Sequence, residues 1–124
     1  MRPGDCEIIV VDDDMSMSLA IARLLSAAGS SVRSFASAEE LLADGDVVSA
    51  AVMILDIQLP GISGLELHRQ LSAAGGVPPV IFITALDRAE TREQVRLAGA
   101  SAIFIKPFDG SELIRAIRRH LPAA

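Results

Sequence analysis

The sequence predicts an α/β fold, in which five parallel strands form one open sheet between two layers of helices. Two observations predict it: short apolar runs recur five times along the 124 residues, and a stretch with helical periodicity follows each run. Strict alternation of strand and helix requires right-handed crossovers, which place helices on both faces of a parallel sheet. Five units fit an open, doubly wound sheet in three layers, whereas a barrel would need eight.

The predicted strands are rich in β-branched residues, and most of them show no alternation of apolar and polar residues, which is typical of strands buried on both faces. The second is the exception, because Arg33 and Ser34 interrupt its apolar pattern, and it is predicted to lie at an edge of the sheet. In chain order the strands are Glu7–Asp12, Ser31–Phe35, Ala51–Asp56, Pro79–Thr84 and Ala102–Ile105.

Helix start and stop signals fill the intervals between the strands. Asp14 is expected to cap the first helix, and Gly29 and Gly99 lie where the first and fourth helices should end. Four other helix starts carry a Ser or Asp followed three residues later by Glu, the signature of a capping box. These pairs are Ser37 with Glu40, Ser63 with Glu66, Asp87 with Glu90 and Asp109 with Glu112.

Composition and missing motifs exclude several classes of function. A net charge of −5 argues against direct binding of nucleic acid, and the longest apolar run, Ala50 to Leu55, is too short to span a membrane. The single cysteine, Cys6, excludes a disulfide framework and suits a reducing cytosol. No phosphate-binding glycine loop or nucleophile elbow occurs, and His68 and His120 are expected on solvated helix surfaces. We expect one cytoplasmic domain over residues 1–124, with its core at 6–121.

Reactive side chains follow four of the five predicted strands. In an open parallel sheet, ligands bind beyond the carboxyl ends of the strands. Acids at Asp12, Asp13 and Asp56 are expected to meet there with the hydroxyl of Thr84 and the ammonium of Lys106, the only lysine among eleven basic residues. Clustered carboxylates repel one another, and a hard divalent cation such as Mg²⁺ offsets the repulsion. A carboxylate nucleophile beside a metal ion and a lysine suits phosphoryl transfer through an aspartyl phosphate.

Four sequence stretches together resemble the response-regulator receiver domain, of the CheY-like kind. They are IIVVDD at the first strand, ILDIQLPGISGLEL around Asp56, FITA around Thr84 and FIKPF around Lys106. The stretches VVDDD and SFASAEELL look most like the FixJ-type branch, in which a LuxR-type helix-turn-helix usually follows the receiver. The resemblance covers essentially the whole chain and implies a flavodoxin-like (βα)5 fold with strand order 2-1-3-4-5.

The resemblance also implies roles for the residues at the carboxyl ends of the strands. Asp56 would accept a phosphoryl group from a sensor histidine kinase or a phosphotransfer protein. Mg²⁺ (or Mn²⁺) would be bound directly by Asp13, Asp56 and the backbone carbonyl of Gln58, with Asp12 acting through water. Lys106 would pair with Asp56 and then with the phosphoryl group, and the hydroxyl of Thr84 would donate to a phosphoryl oxygen and move in doing so. A cis peptide bond would precede Pro107, and Gln58 and Leu86 would tune the lifetime of the phosphoryl group.

One position departs from the pattern of this family. The residue three before the lysine is usually Tyr or Phe, a ring that turns inward when the threonine moves; here it is Ile103. The neighbouring Phe104 should face the other side of the sheet, because side chains alternate along a strand. We expect Ile103 to switch with smaller amplitude, or the loop before the fourth helix to carry the signal alone.

The fourth helix is the expected output surface. Arg88, Arg92 and Arg96 recur there at helical spacing. This spacing fits two alternatives: a solvated face with ion pairs, or a face that binds a partner. In the second case a second copy or an effector domain would bind to the surface formed by this helix, the fifth strand and the fifth helix. Phosphorylation would shift the equilibrium between two conformations of this surface.

Three functions stay open at this point. The first is a signalling module switched by phosphorylation, which is not an enzyme acting on a separate substrate. The second is a phosphatase with an Asp nucleophile, although Gln58 stands where such enzymes carry a general acid. The third is a degenerate receiver that serves as an unphosphorylated docking module.

Overall fold

The computed structural model describes residues 7–44, 47 and 49–121, and strands alternate with helices throughout this part of the chain. The predicted strands are all present, with ends that differ by at most one residue from expectation, and Cys6 lies outside the described residues. The elements are β1 Glu7–Val11, α1 Met15–Ala27, β2 Ser31–Phe35, α2 Ala38–Asp44, β3 Val52–Asp56, α3 Gly64–Ala73, β4 Val80–Thr84, α4 Ala89–Leu97, β5 Ala102–Ile105 and α5 Gly110–Arg118.

The strands form one parallel sheet in the order β2-β1-β3-β4-β5. This confirms the expected topology and the edge position of β2. The strand order reverses beside β1, since the chain first moves outward to β2 and then returns to β3 on the other side. In the sheet register Val11 lies beside Leu55, Asp56 beside Ile83, and Thr84 beside Ile105. Because the strands are parallel, the carboxyl ends of β1, β3, β4 and β5 lie along one edge of the sheet.

Two apolar layers cover the faces of the sheet. Ile8, Val10 and other alternate strand residues pack with α1 and α5, while the residues between them pack with α2, α3 and α4. Phe82, the largest fully buried side chain of the described residues, belongs to the second layer. Ile103 packs on that same layer, and Phe104 packs on the α1 and α5 side. The predicted opposite orientation of these two neighbours is confirmed.

Side chains cap most of the helices as predicted. Asp14 accepts hydrogen bonds from two backbone N–H groups at the start of α1, and Ser37, Ser63 and Asp109 each accept from one backbone N–H group at α2, α3 and α5. The cap predicted at Asp87 is wrong. Helix α4 has Arg88 at its N-cap position without a side-chain cap, because the Asp87 carboxylate accepts from Nε of Arg92 at 2.6 Å instead.

The expected solvated position of His68 is also wrong. His68 lies on the buried side of α3, only 9% exposed, with its ring centroid 5.7 Å from that of Phe82 in an edge-to-face arrangement. Burial lowers the pKa of His68, since the charged imidazolium is poorly solvated there. His120 is half-buried and follows the end of α5 rather than lying within it. Within the part of the chain that the structure describes, every helix is too short or too polar to cross a membrane.

Candidate functional site

The predicted site residues lie along the carboxyl edge of the sheet. Asp12 follows β1, Asp56 ends β3, Thr84 ends β4 and Lys106 follows β5. The Lys106 ammonium lies 3.1 Å from Oδ2 of Asp12 and 3.2 Å from Oδ2 of Asp56. The backbone N–H of Lys106 donates to the carbonyl of Thr84 at 2.8 Å, and a cis peptide bond joins Lys106 to Pro107. Residues far apart in sequence thus form a single charged cluster.

Each buried carboxylate is oriented by two different partners. Oδ1 of Asp56 accepts from the backbone N–H of Gln58 at 3.1 Å, and Oδ1 of Asp12 accepts from that of Asp14 at 2.9 Å. In both residues the other oxygen, Oδ2, accepts from Lys106. Tight turns at the strand ends therefore direct both carboxylates toward the same ammonium group.

Burial perturbs the charges of this cluster. Asp12 and Asp56 are almost fully buried, at 1% and 4% exposed. Burial raises the pKa of Asp56 from 3.8 to about 6, the negative charge of Asp12 adds to the rise, and Lys106 partly opposes it. Burial alone would lower the pKa of Lys106, but its hydrogen bonds to and attraction by both carboxylates outweigh this effect and raise it. The Asp56 carboxylate is thus less stable as an anion than an exposed one.

Asp13 completes a group of acids that could hold a metal ion. Asp12, Asp13 and Asp56 each offer one carboxylate oxygen, and these oxygens all lie within 4.8 Å of one another. Two of the acids are buried and Asp13 is exposed, so the group opens to solvent on one side. Three carboxylates beside one ammonium leave a net negative charge, and hard oxygen donors suit Mg²⁺ or Mn²⁺. The residues present fit such an ion.

The side chain of Gln58 makes contacts that the sequence did not predict. Its Oε1 accepts from the Thr84 hydroxyl at 2.6 Å and from the backbone N–H of Ala85 at 3.1 Å. The hydroxyl oxygen of Thr84 also accepts from the N–H of Leu86 at 3.1 Å. The family resemblance predicted only that the backbone carbonyl of Gln58 binds the metal ion and that Gln58 tunes the lifetime of the phosphoryl group. Thr84, at the end of β4, and Ala85, directly after it, lie 26 and 27 residues away along the chain, and no local pattern points to them.

The loop between β3 and α3 is held close to the sheet. The N–H of Gly64 donates to the carbonyl of Ile57 at 3.1 Å, and a Cβ added to Gly64 would stand 2.3 Å from the carbonyl oxygen of Asp56. Oε2 of Glu39, on α2, accepts from the N–H of Ile62 at 3.2 Å. Only glycine permits α3 to begin this close to the backbone of Asp56.

Two of the three arginines of the predicted output surface, Arg92 and Arg96, lie on α4, whereas Arg88 stands at its N-cap position. Arg92 pairs with Asp87, and Arg96 pairs with Glu93, all on exposed positions. These exposed ion pairs fit the first alternative, a solvated face. The structure brings neither these arginines nor His68 to the charged cluster.

Comparisons with known proteins identify the family. A family model described as the response regulator receiver domain matches residues 8–118. The chain belongs to this family. The receiver domain is 37% identical to response regulator protein TodT of Pseudomonas putida over 117 residues, which cover 94% of this chain and 52% of TodT. It is 33% identical to transcriptional regulatory protein FixJ of Azorhizobium caulinodans over 119 residues, which cover 96% of this chain and 56% of FixJ. The receiver domain spans about half the length of these curated relatives.

Solved structures show the same fold. The BeF3-activated receiver domain of DrrB, a response regulator of Thermotoga maritima, superposes with a TM-score of 0.84 at 30% identity. The match covers 94% of this chain and 97% of that one. The predicted resemblance to receiver domains and the flavodoxin-like topology are therefore confirmed, and FixJ is among the relatives. The protein is a receiver domain of two-component signalling, and its curated relatives include transcriptional regulators.

Proposed function

We propose that Asp56 is the phosphoacceptor of this receiver domain and takes its phosphoryl group from a phosphohistidine of a sensor histidine kinase or a phosphotransfer protein. The observation that carries the proposal is the Lys106 ammonium, which lies within 3.2 Å of a carboxylate oxygen of both Asp12 and Asp56. It places the one lysine of the chain beside a buried nucleophile, where a phosphoryl group would add further negative charge.

The transfer requires little chemistry beyond positioning. A lone pair of an Asp56 carboxylate oxygen attacks phosphorus, and a new O–P bond forms while the N–P bond of the phosphohistidine breaks. The electron pair of that bond returns to the imidazole nitrogen. Water later attacks phosphorus and forms a new O–P bond while the bond between the Asp56 oxygen and phosphorus breaks. The electron pair of that bond returns to the Asp56 carboxylate, and inorganic phosphate and a proton leave to solvent. Lys106 offsets negative charge throughout and supplies no proton to the acyl phosphate. Because Asp56 both gains and loses the phosphoryl group, the domain acts on itself and not on a separate substrate.

The acidic group is proposed to hold Mg²⁺ or Mn²⁺ during this reaction. Asp13, Asp56 and the backbone carbonyl of Gln58 would bind the ion directly, and Asp12 would act through water. A bound divalent cation neutralises negative charge on transferring phosphoryl oxygens. The opening at the exposed Asp13 supports this assignment, since Mg²⁺ usually keeps several waters.

The signal is proposed to leave through α4, β5 and α5. The Thr84 hydroxyl would turn to the phosphoryl group, the loop before α4 would follow, and Ile103 would change its packing on the same side of the sheet. The exposed surface formed by α4, β5 and α5 would then bind a second copy or an effector domain. The name of FixJ, a transcriptional regulatory protein, supports transcriptional regulation as the output. The domain would act in the cytoplasm, and nucleic acid would be bound by a part other than this acidic domain.

Phosphorylation by acetyl phosphate tests the proposal. With Mg²⁺ present, intact mass should increase by one phosphoryl group in the parent and not in Asp56→Asn. Asp87→Asn, which alters an exposed aspartate outside the site, should be labelled like the parent. Labelling of Asp56→Asn to the parent's extent would refute the proposal. Steady phosphate release without an adduct would instead indicate a phosphatase, and the absence of both would indicate a docking module.

A further inference from the structure

We propose that the Gln58 side chain is an internal substitute for a phosphoryl oxygen, which occupies the Thr84 hydroxyl and the Ala85 amide until the phosphoryl group displaces it. This inference rests on the proposed function of Asp56. It assigns Gln58 a role before phosphorylation, as a positioning residue that holds the end of β4 and the following loop in the resting arrangement.

The geometry at Oε1 of Gln58 carries the inference. A single oxygen accepts from two donors, the Thr84 hydroxyl at 2.6 Å and the Ala85 backbone N–H at 3.1 Å. Two donors that converge on one oxygen form a small anion-binding concavity, of the kind that receives phosphate oxygens. Thr84 is fully buried, so its hydroxyl has few other acceptors; the carbonyl of Leu86, at 3.3 Å, is the alternative that the structure shows.

The position of Gln58 ties this contact to the phosphoacceptor. Its backbone N–H donates to Oδ1 of Asp56 at 3.1 Å, while its side chain crosses to the neighbouring strand and reaches Thr84. Asp56 pairs with Ile83 in the sheet register, one residue before Thr84. A phosphoryl group on Asp56 thus forms beside these donors and competes with the Gln58 amide for them.

Charge decides the outcome of this competition. A phosphoryl oxygen is a charged acceptor and binds N–H and O–H donors more strongly than a neutral carboxamide oxygen does. Gln58 is exposed, so its amide can leave toward solvent, where water replaces the lost hydrogen bonds. The amide is therefore strong enough to hold the resting loop and weak enough to be displaced.

A double-mutant cycle on the unphosphorylated domain tests the contact itself. Gln58→Met removes the acceptor at similar side-chain length, Thr84→Val removes the donor, and both are combined. We expect the unfolding equilibrium constants to depart from additivity by about fivefold, the size of one net hydrogen bond. The Ala85 amide resonance should also shift in Gln58→Met and stay unchanged in the control Gln94→Met. Additive effects together with an unshifted resonance would overturn the proposal.

Phosphorylation kinetics test the competition. Gln58→Met and Gln58→Ala both keep the backbone carbonyl, and both should react with acetyl phosphate about 3- to 10-fold faster than the parent, because no amide has to be displaced. Gln94→Met should react like the parent. Equal or slower reaction of both variants, with the parent labelled normally, would overturn the inference. If the parent is not labelled at all, the proposed function fails and the inference falls with it, even where the mutant cycle shows coupling.

Discussion

Replacing Asp56 with Asn should stabilise the domain at neutral and alkaline pH in the absence of divalent cations. The buried carboxylate has a pKa of about 6, compared with 3.8 for an exposed aspartate, so ionising it costs more in the folded protein than in the unfolded chain. The neutral amide has nearly the same shape and carries no such cost. The stability of the folded domain thus measures how unfavourable the charge on Asp56 is.

The rise in pKa sets the size of the effect. It amounts to about 2 units, which at 1.36 kcal/mol per unit corresponds to about 3 kcal/mol. Because the pKa is raised on folding, the favourable contribution of the protonated group is complete below pH 3.8 and is lost as the pH rises through about 6. The difference in free energy of unfolding between Asp56→Asn and the parent should therefore grow between these two pH values and stay constant above.

Urea denaturation with a chelator present provides the measurement. The chain contains no Trp and no Tyr, so circular dichroism is the suitable probe. Asp87→Asn is the matched control, since its exposed carboxylate has a pKa lowered by the hydrogen bond to Arg92 and should show no stabilisation at high pH. Adding Mg²⁺ should stabilise the parent more than Asp56→Asn. The reasoning would be refuted if Asp56→Asn were no more stable than the parent at about pH 8, where the carboxylate is fully ionised.

Three further changes test other parts of the structure. Gly64→Ala should destabilise the domain by about 1–3 kcal/mol, because the new Cβ would press against the backbone of β3. Chemical denaturation should show no such loss for Gly76→Ala, which has open space around it. His68→Leu should reduce the loss of stability below about pH 6.5, since the parent must protonate a buried, neutral imidazole; an unchanged acid slope would contradict this. Asp14→Ala should lower the free energy of unfolding by about 1 kcal/mol, because it removes the side-chain cap of α1. Thermal unfolding should show no such loss for Ser16→Ala, a change at an exposed residue of the same helix.

Local patterns were sufficient for the elements and for the edge at which the site lies. Apolar runs without alternation predicted four buried strands, and β1, β3 and β4 are buried, whereas β5 is only half-buried because it forms the second edge of the sheet. The polar residues Arg33 and Ser34 correctly predicted that β2 is an edge strand. Since the carboxyl ends of parallel strands share one edge, residues that follow those strands had to meet there. The same local reasoning failed for Asp87, whose carboxylate had a charged partner on α4, and for His68, whose burial depends on what packs against α3.

The sequence by itself determined the order of elements, the sheet edge with its acids, threonine and lysine, and the family resemblance, because each depends on residue type and spacing along the chain. Only the tertiary structure decided which atoms meet: Lys106 between Asp12 and Asp56, the raised pKa of Asp56, and the Gln58 amide on Thr84. These depend on distances and burial between strands far apart in sequence, and such quantities exist only once the sheet has brought the strands together.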